Sequence, residues 1–235
     1  MLSGTFHVRG PEGTAVVGPG ALLLGNPAAP YEFRHVDEGG DRSLVIECSD
    51  ALLEEALRSR GRASRGRRPF ARVCAPASVT SVKAVLLARQ ALESGQEEDL
   101  REAALAVVDA GVTLGGDAPE TRVEVSDAQA RRVARVLRYL EARFMEDCSL
   151  ETLAGVAGLT SFHFLRVFRA VTGQTPRQFV IATRLGMAAT ALRGSRARIT
   201  DVALDAGFGD LSHFTTSFTR AFGLSPRAYR ARQHA

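Results

Sequence analysis

The sequence has no apolar stretch long enough to cross a membrane, which needs about 18 residues or more. Its first residues also lack the basic and then apolar pattern of a secretory signal. It has only three cysteines, Cys48, Cys74 and Cys148, which are far apart and odd in number. This pattern is typical of reduced, buried thiols rather than a disulfide framework. We therefore expect a cytoplasmic protein that does not enter membranes.

Motifs that would indicate an enzyme or a metal site are also missing. The chain contains no G-x-S-x-G elbow, no phosphate-binding loop and no H-E-x-x-H motif. No C-x-x-C pair supports a metal or redox sensor. His7 and His35 alone do not form the cluster of ligands that a metal-binding barrel needs. We therefore predict no catalytic residues, no metal and no cofactor.

Charge is divided unequally between the two halves of the chain. Residues 127–235 contain 16 arginines and no lysine against 8 acidic residues. Residues 1–126 contain 14 basic and 18 acidic residues, and the two halves together give the overall net charge of +4. A basic C-terminal half beside an acidic N-terminal half indicates that only the C-terminal half meets a polyanion. Basic helices that are simply solvated are the alternative.

Residues 199–230 have the pattern of two helices joined by a tight turn. Ile199 and Val202 are spaced as one buried face of a short helix. Gly207 suits the left-handed conformation that follows a helix, and Asp210 suits the cap of a second one. Two helices joined in this way form a helix-turn-helix, whose second helix can lie in the major groove of DNA. An ordinary helical hairpin is the alternative.

The same pattern occurs earlier in the chain, in residues 153–176. The offset between equivalent residues is 49 positions up to the turn glycine and 50 after it, so the extra residue lies in the turn. A repeat with its insertion in a turn favours two copies of one structural unit. The equivalent pairs are Leu153 with Val202, Gly158 with Gly207, Phe164 with Phe214, Phe168 with Phe218, Gly173 with Gly223 and Pro176 with Pro226.

These motifs resemble those of the AraC/XylS-type transcription regulators, and the resemblance covers the chain from the mid-120s to Arg230. It implies two helix-turn-helix units that are bridged by a long helix and bound to successive major-groove segments. The matching residues are Gly207-Phe208, Phe214, Phe218 and Gly223-Leu224-Ser225-Pro226-Arg227-Ala228-Tyr229-Arg230.

The N-terminal residues read as short strands separated by glycine and proline turns, which favours a small antiparallel sheet or barrel. They resemble the cupin-like sensor domain at the front of this family, but the chain begins roughly in the middle of such a barrel. Either the start codon is assigned too late or the sensor is reduced. The predicted strands are Thr5–Val8, Thr14–Val17, Ala21–Leu24, Tyr31–Val36 and a buried strand over Ser43–Cys48.

Helices are predicted after these strands, so the expected fold class is α+β with an all-α C-terminal DNA-binding domain. The first helix spans Asp50–Leu57, with Asp50 as its cap. Helices over Ser78–Leu92 and Glu97–Leu114 either dimerise, as the resemblance implies, or pack on their own sheet. Residues 58–72 form a Gly/Arg/Ser-rich loop, either solvated or in contact with nucleic acid. The predicted divisions are a sensor and dimerisation domain (1–114), a linker (115–126) and the DNA-binding domain (127–235).

In the C-terminal half, Ser126, Ser149 and Thr175 are expected to cap helices. The connecting helix that starts at Pro176 is expected to run to Arg193. A helix of that length spans about 27 Å, which suits two recognition helices about one DNA turn apart.

The predicted DNA contacts are the residues that point away from the core. In the first recognition helix these are Phe162, His163, Leu165, Arg166 and Arg169, with a core position as the alternative for Leu165. Arg166 is the preferred base contact because arginine can bind guanine through two hydrogen bonds.

In the second recognition helix the predicted contacts are Leu211, Ser212, His213 and Thr216, of which Leu211, Ser212 and Thr216 match the reading positions of the family. Arg196, Arg198 and Arg220 are expected to bind phosphates.

The sequence therefore predicts a DNA-binding regulator of transcription, with activation as the commoner mode in the family. The expected partners are double-stranded promoter DNA, RNA polymerase, a second copy of the chain and a small-molecule effector. One alternative is a co-regulator that acts mainly through a protein partner. The other is a DNA repair protein with Cys48 or Cys74 as a thiol acceptor, although a thiol inside the predicted strand would be inert.

Overall fold

A computed structural model describes residues 1–35, 40–62, 68–116, 125–146 and 148–233. Short strands dominate the start of the described chain, and helices make up most of the rest, which confirms the predicted fold class. The predicted linker lies largely outside the described residues, as do Val36 and the centre of the arginine-rich loop.

The strands form small antiparallel sheets. One sheet has the order β3-β2-β5, and the pairs β1-β6 and β4-β7 form the other two. The strands are β1 (Ser3–Gly4), β2 (Phe6–Gly10), β3 (Gly13–Val17), β4 (Leu22–Leu23), β5 (Glu32–His35), β6 (Asp41–Arg42) and β7 (Cys74–Ala75).

The predicted buried strand over residues 43–48 is wrong. These residues have no regular secondary structure, and the side chain of Val45 is 78% exposed. Strand β6 ends just before them, at Arg42, and its two residues pair with β1. The apolar side chains of this segment border a cavity instead of filling a sheet. Cys48 therefore lies in an irregular, partly exposed segment and not inside a strand.

The described residues of the N-terminal half form the helices α1 (Asp50–Ser59), α2 (Val79–Ser94) and α3 (Glu97–Gly115). Asp50 is not the cap of α1, because the Ser49 hydroxyl one residue earlier accepts the Leu52 N–H at 3.3 Å. Helix α3 extends one residue beyond the predicted end. Gly115 packs so closely that a Cβ there would lie 2.7 Å from both Leu24 and Phe70.

The C-terminal helices are α4 (Asp127–Arg143), α5 (Leu150–Ala157), α6 (Ser161–Thr172), α7 (Pro176–Gly194), α8 (Ile199–Asp205), α9 (Leu211–Phe222) and α10 (Pro226–Gln233). The predicted caps are confirmed. The hydroxyls of Ser126, Ser149 and Thr175 each accept a backbone N–H at the start of a helix. Helix α7 extends one residue past the predicted end, to Gly194.

Helix α2 connects the two halves of the protein. One side packs on α3, while Val79 and Leu86 pack against the apolar cluster of α7 to α9. The crossing with α7 is close, because a Cβ on Gly186 would lie 2.7 Å from Val82. The Lys83 Nζ lies 5.1 Å from the centre of the Phe222 ring. The N-terminal half is thus packed directly onto the helical C-terminal half.

Helix α3 packs on its own sheet, which was one of the two predicted arrangements. Ala110 of α3 shares a buried cluster with Leu22 and Leu24 of β4 and its flank, and with Ala75 of β7. Dimerisation through α2 and α3 stays a prediction.

The β2-β3 sheet contacts the start of the C-terminal half. Val16 of β3 belongs to the same buried cluster as Val133 and Leu137 of α4. The Gly4 N–H donates to both carboxylate oxygens of Glu141 at 3.3 Å. Strand β3 therefore packs against both α4 and α6, while β1 is held to α4 through Glu141.

His7 lies in β2, within range of the charge of Asp127 at the start of α4. Its side chain is buried, and its Nε2 atom has no hydrogen-bond partner within the described part of the chain. Burial lowers the pKa of His7. The Asp127 carboxylate opposes this shift and raises the pKa, whereas Arg9 and Arg34 lower it by smaller amounts. The neutral imidazole is therefore the form that the folded protein favours.

Candidate nucleic-acid interface

The first helix-turn-helix unit consists of α5 and α6. Gly158 follows α5 in the left-handed conformation, and the Thr160 hydroxyl accepts the His163 N–H to start α6. Phe164 and Phe168 are fully buried, with their ring centres 5.4 Å apart. These contacts fix which side of α6 faces outward.

The outward side of α6 carries the residues that the sequence analysis selected. Phe162 is 80% exposed, and Arg166 and Arg169 are also exposed. His163 is partly buried. Leu165 is 37% exposed, so it lies at the surface and not in the core.

The second unit consists of α8 and α9. Gly207 adopts a φ of 81° in the turn, where other residues would be strained. The Asp210 carboxylate then accepts the N–H groups of Ser212 and His213, both at 3.0 Å, and caps α9 as predicted. Phe214 and Phe218 occupy the positions that Phe164 and Phe168 hold in the first unit. The two units therefore share one frame, which confirms the repeat.

The outward side of α9 has a different composition. Leu211 is 43% exposed, and Ser212, His213, Thr216 and Arg220 are exposed as well. The His213 ring centre lies 5.7 Å from that of Phe208. In this helix the middle of the outward face offers hydroxyl and apolar groups, and the arginine comes only in the last turn.

A cleft of about 570 Å³ lies between the two units. One residue of each recognition helix lines it, Leu165 of α6 and His213 of α9. Arg177 and Arg184 of α7 line the same cleft. Arg196 and Arg198 lie apart from it, in the exposed segment between α7 and α8.

Arg177 is a candidate that the sequence analysis missed. It is exposed near the start of α7, where the N–H groups of the first helical turn also favour an anion. The capping residues Thr175 and Pro176 could have indicated it.

The arginines on this side of the protein are free to bind an anion. Within the described residues, none of them forms an ion pair or a hydrogen bond with another side chain. These residues are Arg166, Arg169, Arg177, Arg196, Arg198 and Arg220. By contrast, Arg60, Arg89 and Arg101 of the N-terminal half pair with acidic side chains. Unpaired positive charge is therefore available around both recognition helices.

The described residues contain no group of three or more His, Cys, Asp or Glu side chains that could hold a metal ion. No helix in the described part of the chain combines the length and apolar character that a membrane span needs. Desolvation raises the pKa of Cys74 to about 12 and also raises the pKa of Cys48. Both thiols are therefore held in the protonated form.

Comparison with known proteins places the match in the helical half. A family profile for a helix-turn-helix domain matches residues 153–232. The HTH-type transcriptional activator RhaS of Enterobacter sp. (strain 638) is 37% identical over 108 residues, which are 46% of this chain and 39% of RhaS. RhaS of Citrobacter koseri is 37% identical over 99 residues, which are 42% of this chain and 36% of that protein. The chain thus matches about two fifths of the length of these relatives.

Among solved structures, the DNA-binding domain of AdpA in complex with a target DNA is 34% identical, with a TM-score of 0.42. That match covers 43% of this chain and 91% of the AdpA chain.

Two capped helix pairs, each with an exposed second helix, define a helix-turn-helix protein. The family match and the RhaS relatives then identify the C-terminal half as an AraC/XylS-type DNA-binding domain, so the resemblance seen in the sequence is confirmed.

Proposed function

We propose that this protein is a sequence-specific regulator of transcription that inserts α6 and α9 into successive major-groove segments of promoter DNA. The observation that carries the proposal is that α6 and α9 each expose one face on a frame with the same pair of buried phenylalanines. The arginines on these faces form no ion pair within the described residues. Helix α7 joins the frames, and its 19 residues span about 28 Å. That length suits two recognition helices about one DNA turn apart.

The first unit supplies most of the cationic contacts. Arg166 binds a guanine edge through two hydrogen bonds, and Arg169 and His163 contact the bases or phosphates beside it. Phe162 and Leu165 are exposed apolar groups that contact thymine methyl groups. Their exposure supports this role, since a folded protein otherwise gains by burying such side chains.

The second unit reads DNA mainly through uncharged groups. Ser212 and Thr216 hydrogen-bond to base edges, and Leu211 contacts a thymine methyl. His213 contacts the DNA beside the cleft that it lines. Positive charge around this unit comes from its edges and neighbours, where it binds phosphates. The phosphate contacts are Arg220, Arg196, Arg198 and Arg177.

For the rest of the chain we propose the divisions predicted from the sequence, with a sensor and dimerisation domain over 1–114 and a linker over 115–126. A cavity of about 870 Å³ beside the N-terminal sheet supports the binding of a small-molecule effector there. Leu22, Leu53, Phe70 and Val107 are among its apolar lining residues. The relatives carry the name of transcriptional activators, which supports activation through RNA polymerase as the mode of action.

We further propose that the chain has no enzymatic activity. The thiol-transfer alternative needs a reactive thiolate, whereas Cys48 and Cys74 both have a raised pKa. Titration of the folded protein with a thiol reagent near neutral pH should therefore leave Cys74 unmodified. Rapid, stoichiometric modification of Cys74 without unfolding would favour the alternative of a DNA repair protein.

The direct test is genomic footprinting of the wild-type protein beside an Arg166→Ala, Thr216→Ala double variant. The wild type should protect a short directional site about two major-groove segments long, and the double variant should lose that protection. A matched control is Arg101→Ala, Thr113→Ala, which changes the same residue types on the exposed side of α3. Diffuse protection that is the same in all three proteins would favour the co-regulator alternative, in which the N-terminal half binds a protein partner.

A further inference from the structure

Three parts of the C-terminal half meet at the side chain of Arg184, near the middle of α7. The guanidinium Nε and Nη2 donate to the carbonyl of Phe144 at 3.1 and 3.0 Å. Nη2 also lies 3.4 Å from the carbonyl of Glu146. Phe144 directly follows the last residue of α4 and Glu146 lies two residues further on, so these carbonyls belong to the segment that ends that helix. They have no partner inside the helix, and Arg184 satisfies them.

The turn of the second unit, which contains Gly207, also lies close to the Arg184 guanidinium and the Phe144 carbonyl. A Cβ on Gly207 would lie 2.8 Å from Arg184 Nε and 3.2 Å from the Phe144 carbonyl oxygen. Gly207 is therefore needed for a second reason besides its positive φ, because any side chain there would push the turn away from Arg184. The turn between α8 and α9, the connecting helix and the end of α4 form one junction.

Helix α4 is part of the first unit's core. Its Val133, Leu137 and Leu140 share a buried cluster with Phe164 and Phe168 of α6. The turn that contains Gly207 leads directly into α9. The chain connects the two units covalently through the two ends of α7. The junction at Arg184 adds a second, non-covalent link between them near the middle of that helix.

We propose that Arg184 is a positioning residue that fixes the distance and rotation of α9 relative to α6, and with them the spacing of the two DNA segments that the protein accepts. The inference rests on the proposed function. A single helix fixes only one line of attachment between the two units. A planar guanidinium held between two carbonyls and a glycine turn resists rotation about that line, because its donors leave the side chain in fixed directions.

A change in DNA spacing shows whether this brace acts. One base pair inserted between two half-sites moves one of them by about 3.4 Å and rotates it by roughly 34°. A protein with a fixed separation between its recognition helices cannot follow both changes. A protein without the brace can follow them by rotating one unit against the other.

The test compares the wild type with Arg184→Gln on duplexes of altered spacing. The probe is a duplex enriched by the wild-type protein from a randomised library, together with versions that have one base pair inserted or removed between the two protected segments. For the wild type we expect affinity to fall at least about tenfold on the altered duplexes. For Arg184→Gln we expect a fall of about twofold, with unchanged affinity for each half-site alone. Arg193→Gln is the control, since it removes the same charge from the same helix and should behave as the wild type.

Other outcomes overturn the proposal. If Arg184→Gln loses the same factor on every duplex, Arg184 is a phosphate contact. If Arg184→Gln keeps the full spacing preference, Arg184 does not position the units. The same conclusion follows if the variant loses binding to the half-sites at a temperature at which it is still folded. Should the Gln variant fail to fold, Arg184→Lys replaces it, because an ammonium lacks the planar fork and should also relax the spacing preference. If the wild type enriches no sequence at all, the proposed function fails instead.

Discussion

The two helix-turn-helix units have the same frame but different outward surfaces. Each has a glycine in the turn and two fully buried phenylalanines on the second helix. On α6 the outward face carries Arg166 and Arg169, whereas on α9 it carries Leu211, Ser212 and Thr216, with Arg220 only in the last turn. The comparison shows that the buried frame can be repeated while the outward face of one copy carries more positive charge. We expect the first unit to supply more binding energy and the second to supply selectivity.

The two units also differ in what supports them. The first packs against α4, which is backed by β3. The second packs against α7 and α10 and, across the two halves of the protein, against α2. The first unit is thus supported by the sheet, and the second by the helical hairpin of α2 and α3.

The largest expected effect tests the shared frame. Phe164→Ala and Phe214→Ala each remove a fully buried ring, so each should lower the free energy of unfolding by about 3–5 kcal/mol. Urea unfolding followed by circular dichroism measures this. Phe162→Ala is the matched control on α6, and its exposed ring should change stability by less than about 0.5 kcal/mol. Equal losses for Phe162 and Phe164 would contradict the assignment of inward and outward faces.

The next effect separates the two outward surfaces. Arg166→Ala should weaken binding to the enriched duplex by about 1–3 kcal/mol, because it removes a charged contact with two hydrogen bonds. Thr216→Ala should cost about 1 kcal/mol or less, because it removes one neutral hydrogen bond. Fluorescence anisotropy at constant salt measures both. A larger loss for Thr216 than for Arg166 would reverse the proposed division between the units.

A smaller effect concerns the caps of the recognition helices. The Asp210 carboxylate accepts two N–H groups at 3.0 Å, whereas the Thr160 hydroxyl accepts one at 3.4 Å. Asp210→Ala should therefore lower the unfolding free energy by about 1–2 kcal/mol, and Thr160→Ala by about 1 kcal/mol or less. Asp210→Asn retains an acceptor and serves as the control. Stability that is unchanged in Asp210→Ala would show that α9 does not depend on this cap.

The smallest effect is a pH dependence in the support of the first unit. Burial lowers the pKa of His7, so unfolding takes up a proton once the pH falls below the unfolded value of about 6.5. Stability from this group is present above that pH and is lost as the pH falls from there through the lower pKa of the folded state. Unfolding curves between about pH 8 and about pH 5 should show the loss, and His7→Gln should reduce it. A flat wild-type profile would contradict the prediction.

Local signals in the sequence were enough to predict the helical half. Caps such as Ser126 and Asp210 and the glycine at 207 act within a few residues, so their effects can be read from the chain itself. The outward positions followed from the buried Phe214 and Phe218. Their contacts with DNA stay predictions, since a fold shows exposure and not a bound partner.

Features that depend on distant residues could not be predicted in this way. The apolar residues 44–46 look like a strand, but a strand also needs a neighbour to pair with, and none of the described residues pairs with them. Strand β7 is only two residues long and exists because β4 lies beside it. The hydrogen bond from the Arg184 side chain to the Phe144 carbonyl joins residues 40 positions apart, so no local sequence pattern could predict it.

The packing of α2 on α7 limits how modular this protein is. Val79 and Leu86 cover the apolar cluster of the second unit, and Val82 sits where Gly186 leaves room for it. A C-terminal fragment without α2 would expose an apolar strip on the second helix-turn-helix unit. Joining the C-terminal half to a different N-terminal domain therefore requires that α2 move with it, or that the strip be redesigned with polar side chains.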